Sequence, residues 1–140
     1  MSDEQPLNER EFIEKVVDAA LGLQLEEALA GSLAALATQD SEEKVYDAQG
    51  NPLGQKQEVS KAIVSAEEAL QKPDFKQKIC PALLSASDDI KDIAKIISAV
   101  LLPMALTPQA VIPLSPLAFA AVALVASRAG IQSLCHDHKS

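Results

Sequence analysis

From Ile96 to Ser127 the chain carries no charged residue, yet four prolines (Pro103, Pro108, Pro113 and Pro116) interrupt the run. A membrane-spanning helix needs about 20 consecutive apolar residues. Each proline inside a helix removes a hydrogen bond and costs about 3 kcal/mol. The pieces on either side of the proline-rich middle, Ile96–Leu106 (which itself contains Pro103) and Leu117–Ser127, have 11 residues each, about half a span. Thr107, Gln109 and Ser115 lie in the middle, where lipid could not satisfy an irregular backbone. The stretch therefore reads as two short buried helices joined by a bend.

The second of these helices is punctuated like an ordinary globular one. Ser115 can cap it, and Pro116 suits the first helical position, where its missing N–H costs nothing. Arg128 complements the dipole in the last turn, Gly130 can close the helix, and Ile131 can supply the accompanying hydrophobic contact. A helix over 116–129 is expected. Its alanines would let neighbours approach closely on several sides. Upstream, Ser87-Asp88-Asp89 forms a cap before the strongest amphipathic pattern in the chain: Ile90, Ile93, Ala94, Ile97, Val100 and Leu101. That helix is expected over 88–102, ending near Pro103 and packed against 116–129.

The N-terminal third also reads as helix. Asn8 with Glu11 has capping-box spacing, and Phe12, Ile13, Val16, Val17, Ala20 and Leu23 begin a helical stripe. Leu25, Ala28, Leu29, Leu33 and Leu36 continue it, so one helix over 9–37 is expected, bent or broken near Gly22. Gly22 or Gly31 could each admit a close neighbouring backbone. Residues 38–57 change character, with Val45-Tyr46-Asp47 extended and Gly50-Asn51-Pro52 a turn. This is a turn-rich insertion, either a loop or a short β-hairpin pairing Lys44–Asp47 with Leu53–Lys56. Val59, Ala62, Ile63, Ala66, Ala69 and Leu70 mark another helix. Phe75, Ile79 and Leu83 mark a further one, which Pro81 should kink or divide. The expectation is one all-α domain over 1–140, a compact bundle of five or six helices, with frayed termini at 1–7 and 135–140.

Charge is distributed unevenly. Residues 1–47 hold twelve acids and three bases, a net of −9, against −8 for the whole chain. Such a region repels nucleic acid and anionic membranes. The chain has no Trp, one Tyr and three Phe, too few aromatic faces for nucleic-acid stacking. The acidic helix instead suits a basic protein partner, with Glu11, Glu14, Asp18, Glu26 and Glu27 as candidate contact residues. A homodimer through Leu25, Leu29 and Leu36 is the other use of that helix.

No catalytic set is evident. Both histidines, His136 and His138, lie within five residues of the C-terminus, a poor place for a rigid site. Paired acids such as Glu67/Glu68 and Asp88/Asp89 point about 100° apart on a helix and do not face one another. Asp47, Gly50 and Asn51 do not match the spacing of a calcium loop. Cys135-His136-Asp137-His138 holds metal-ligand types, but adjacent residues on a tail cannot easily face one ion. No cofactor, metal or enzymatic activity is expected. Cys80 and Cys135 are read as reduced thiols in a cytoplasmic protein, with a bridge between them left open.

These readings favour a non-enzymatic protein-interaction module, an adaptor, regulator or inhibitor that works through its acidic N-terminal helix. The alternative is a membrane-active or pore-forming protein that stores 96–127 as a hairpin inside a soluble bundle. A third reading is a carrier of an apolar ligand in a cavity lined by residues of 99–126.

Overall fold

The computed structural model describes residues 8–107 and 111–136. The element order is α1 (Glu9–Ala30), α2 (Leu33–Leu36), β1 (Lys44–Tyr46), β2 (Pro52–Gln55), α3 (Lys56–Leu70), α4 (Pro73–Leu83), α5 (Ile90–Ala105), α6 (Pro116–Ala129) and α7 (Ile131–Leu134). Five helices of several turns build the expected all-α bundle, and the insertion is a small antiparallel hairpin. Two helices of four residues, α2 and α7, raise the number among the described residues to seven.

α6 is the centre of the bundle. It packs against α1, α3 and α5, and every residue from Phe119 to Ala126 is buried. Ala120, Ala121, Ala123 and Ala126 keep its waist thin, so three helices can close on it at once. Phe119 supplies bulk and meets Phe12 of α1 edge-to-face, with ring centres 5.2 Å apart. That geometry places the edge of one ring on the electron-rich face of the other. The ends are those expected. Ser115 Oγ accepts from the Ala118 amide, Pro116 begins the helix, and the Gly130 amide donates to the Ala126 carbonyl.

Other boundaries depart from expectation, each for a local reason. α1 does not break at Gly22 but ends at Ala30, where Gly31 adopts φ 99° and its amide donates to the Glu27 carbonyl. Glycine adopts this left-handed closing position without steric cost. Ser32 then caps α2 through the Ala35 amide. α4 runs through Pro81, and α5 runs through Pro103 to Ala105. The carbonyls orphaned by these prolines belong to Gln77 and Ala99, and both residues are exposed, so water can satisfy them. The cap of α5 is Asp89, which accepts from the Lys91 amide, so the helix begins at Ile90 rather than 88.

The hairpin pairs Lys44 with Gln55, Val45 with Gly54 and, across a bulge, Tyr46 with Pro52. Asp47 lies beyond the strand in the turn, where its carboxylate accepts from the Gln49 and Asn51 amides. That use of Asp47 is a turn device and explains the acid there without a metal.

Gly22 serves the hairpin rather than a kink. A Cβ there would lie 2.5 Å from the Tyr46 carbonyl oxygen and 2.8 Å from the Asp47 Cα. The hairpin therefore docks directly on the α1 backbone, and the Ala48 amide donates to the Asp18 carbonyl.

Cys80 of α4 and Cys135 just after α7 form a buried disulfide, which corrects the expectation of reduced thiols. It also corrects the expected fraying from residue 135, because Cys135 is anchored in the core. The frayed segments expected at 1–7 and 137–140 lie outside the described residues.

Candidate functional site

Helix periodicity sorts the five acidic candidates on α1 into different environments. Residues three and four apart share a helix face. Glu11, Glu14 and Asp18 therefore form one stripe, and Leu21, Leu25, Ala28 and Leu29 continue it toward the C-terminal end. Glu11 and Glu14 are exposed and Asp18 is half-buried. Leu25 and Leu29 are 62% and 73% exposed, the most open large apolar side chains on this helix. The stripe is thus acidic over its first half and apolar over its second. The opposite face of α1, led by Phe12, Val16, Ala19 and Leu23, enters the core.

The acidic half has a shaped surround. Glu14 and Asp18, with Ile13 and Val17, form one wall of a shallow depression of about 290 Å³. Gln49 from the hairpin turn and Lys95 from α5 close its other sides. Among the described residues none of Glu11, Glu14 and Asp18 takes part in an ion pair. Arg10 and Lys15 stand one helical turn from Glu14 and Glu11, and Lys95 lines the depression, so the acids are partly offset without being paired. The unpaired carboxylates can each accept from a basic side chain brought against them.

Glu26 and Glu27 do not belong to this stripe. Glu26 is half-buried about 100° around the helix from Leu25. Glu27 is 8% exposed and faces the C-terminal end of α6, so its reading as a contact residue is corrected. Its two carboxylate oxygens accept from Arg128 Nε at 2.7 and 2.8 Å, and Arg128 Nη2 adds a further contact. The hydrogen bonds to Glu27 raise the Arg128 pKa above its ordinary value, against the opposing effect of burial. An acid in the last turn of a helix opposes the dipole. The forked pairing with Arg128 supplies the compensation and ties the end of α1 to the end of α6.

The leucines proposed for a homodimer divide in the same way. Leu25 and Leu29 are on the open stripe, whereas Leu36 is fully buried in α2 and belongs to the core. At the C-terminus, the Cys135 sulfur is committed to Cys80 and is no thiolate ligand. Among the described residues no three His, Cys, Asp or Glu side chains converge as a metal site. Asp137 and His138 lie outside those residues. No helix among the described residues is long and apolar enough to cross a membrane.

An opening that the sequence did not reveal lies between the start of α4 and the end of α5. It has a volume of about 560 Å³ and is lined by Lys72, Pro73, Asp74, Phe75 and Lys78 from the α4 side and by Met104, Thr107 and Val111 from the α5 side. Part of the wall comes from the 99–126 segment, but the opening is at the surface and not within the α6 core. Comparison with protein-family models, with curated proteins and with solved structures gives no match to this chain.

Proposed function

We propose that the chain is a non-enzymatic interaction module that receives a basic amphipathic helix of another protein along the outward stripe of α1. The observation that carries this reading is the order of that stripe. Acids at Glu11, Glu14 and Asp18 come first, and exposed apolar side chains at Leu25 and Leu29 follow. A partner helix with lysine or arginine over the first half and leucine-like residues over the second would complement it. Helix-on-helix recognition of this kind reads anchors three and four residues apart.

A second copy of the chain is a poorer complement over the full stripe. Parallel pairing would set acids against acids, and antiparallel pairing would set them against Leu25 and Leu29. Both arrangements desolvate charge without a partner. The buried Cys80–Cys135 bridge supports placing this encounter in an oxidising compartment instead of the expected cytoplasm. Alkylation of the native protein before and after reduction tests that placement. Both cysteines should be blocked until reductant is added.

The test of the interaction is native partner capture, followed by affinity measurement with Glu11→Lys/Glu14→Lys and Leu25→Glu/Leu29→Glu variants. The reversed acids should weaken binding and flatten its salt dependence. The leucine variant should abolish binding. Equal affinity of both variants and the parent chain would overturn the proposal. So would a dimer of the free chain that is broken only by the leucine variant.

A further inference from the structure

We propose that the opening between α4 and α5 binds one single-chain amphiphile with a monoanionic carboxylate head. Its size falls within the 300–1,000 Å³ typical of small-molecule sites. Phe75, Met104 and Val111 offer an apolar wall, and Met104 can adapt to an irregular chain through its unbranched, flexible side chain. Lys72 and Lys78 stand beside that wall, and among the described residues neither takes part in an ion pair. Their long stems can lie along an alkyl chain while the ammonium groups meet the head.

The local charge selects the head group. Two lysines against Asp74 leave one net positive charge around the opening, which matches a monoanion better than a dianionic phosphate. Thr107 adds a hydroxyl at the same rim, although in the free chain this hydroxyl donates to the Met104 carbonyl. No residue of α1 lines the opening, so this site and the α1 stripe can fail independently.

Calorimetric titration of the full chain with dodecanoate, kept below its micelle concentration, tests the assignment. Dodecanol and butanoate serve as the apolar and charged halves of the probe. Dodecanoate should saturate at one per chain, more tightly than either half. Lys72→Glu/Lys78→Glu should weaken it about tenfold, the sum of two exposed charge contacts. Dodecanol should be unaffected by that substitution. Val111→Asp should weaken both long-chain probes. Circular dichroism checks the fold, and single Lys→Gln variants replace the double variant if it unfolds. Absence of saturable dodecanoate binding would overturn the proposal. So would an affinity indifferent to the lysine substitutions, or binding to anionic vesicles without binding to monomeric dodecanoate.

Discussion

α6 and α1 are both rich in Ala and Leu, and they pack against each other, yet they are used in different ways. α6 is enclosed on every side from Phe119 to Ala126. α1 commits one face to α6 and the core and leaves another in solvent, acidic at one end and apolar at the other. A helix surrounded by three partners has no surface left for recognition. A helix packed on one side keeps a stripe whose composition is not set by the core. Core packing constrains every position of α6 from Phe119 to Ala126 and leaves Leu25 and Leu29 of α1 unconstrained.

The sharpest way to break this contrast is to cut the centre of α6. Phe119→Ala removes a fully buried ring and its edge contact with Phe12. Chemical denaturation should show a loss of about 3–5 kcal/mol. The bridge that fixes the segment after α6 comes next. Cys80 and Cys135 are 55 residues apart, a loop length for which a chain-entropy account gives about 4 kcal/mol. Reductant should lower the denaturation midpoint by a corresponding amount, and slowly, because both sulfurs are buried.

The clasp between the two helices gives a smaller, asymmetric effect. Arg128→Ala leaves the nearly buried Glu27 carboxylate without its fork and should cost about 2 kcal/mol. Glu27→Ala should cost less, because the Arg128 side chain is 37% exposed and can turn to water. Gly22→Ala should cost about 1 kcal/mol or more by denaturation, although alanine is the better helix former. The added methyl meets hairpin backbone, not a side chain that can swing aside. Leu25→Glu/Leu29→Glu should have the smallest effect on stability, within about 0.5 kcal/mol, as expected for exposed positions.

These effects also show what was legible in the sequence. The bounds of α6 were, because cap, proline, arginine and glycine act within a few residues of the ends they set. The fold class followed from periodicity, while the turn residues left a loop and a hairpin equally open for 38–57. The break in α1 was expected near Gly22, whereas the helix passes through Gly22 and ends before Gly31. Only Gly31 is followed by a capping serine, Ser32, and that pair was the signal for where α1 ends. The bulge after Val45 adjoins Tyr46 and Asp47, whose backbone docks on Gly22, a tertiary contact that periodicity cannot express. Pro81 and Pro103 are tolerated within helices where the residues four before them, Gln77 and Ala99, are exposed, which is a tertiary property.

The candidate site was half legible. Glu11, Glu14 and Asp18 share a face by spacing alone. Glu27 is withdrawn by an arginine 101 residues away, and Leu36 by the helix break at Gly31-Ser32, after which it is buried in α2. Lys72, Lys78 and Met104 come together only because α4 and α5 pack side by side.

The central claim is that the α1 stripe is spare surface held for a partner. Affinity for the captured partner, measured on Leu25→Glu/Leu29→Glu with its denaturation midpoint taken on the same sample, tests it most directly. The account expects binding to be lost while the midpoint stays where it is. Retained binding, or a midpoint that falls as far as it does for Phe119→Ala, would contradict it.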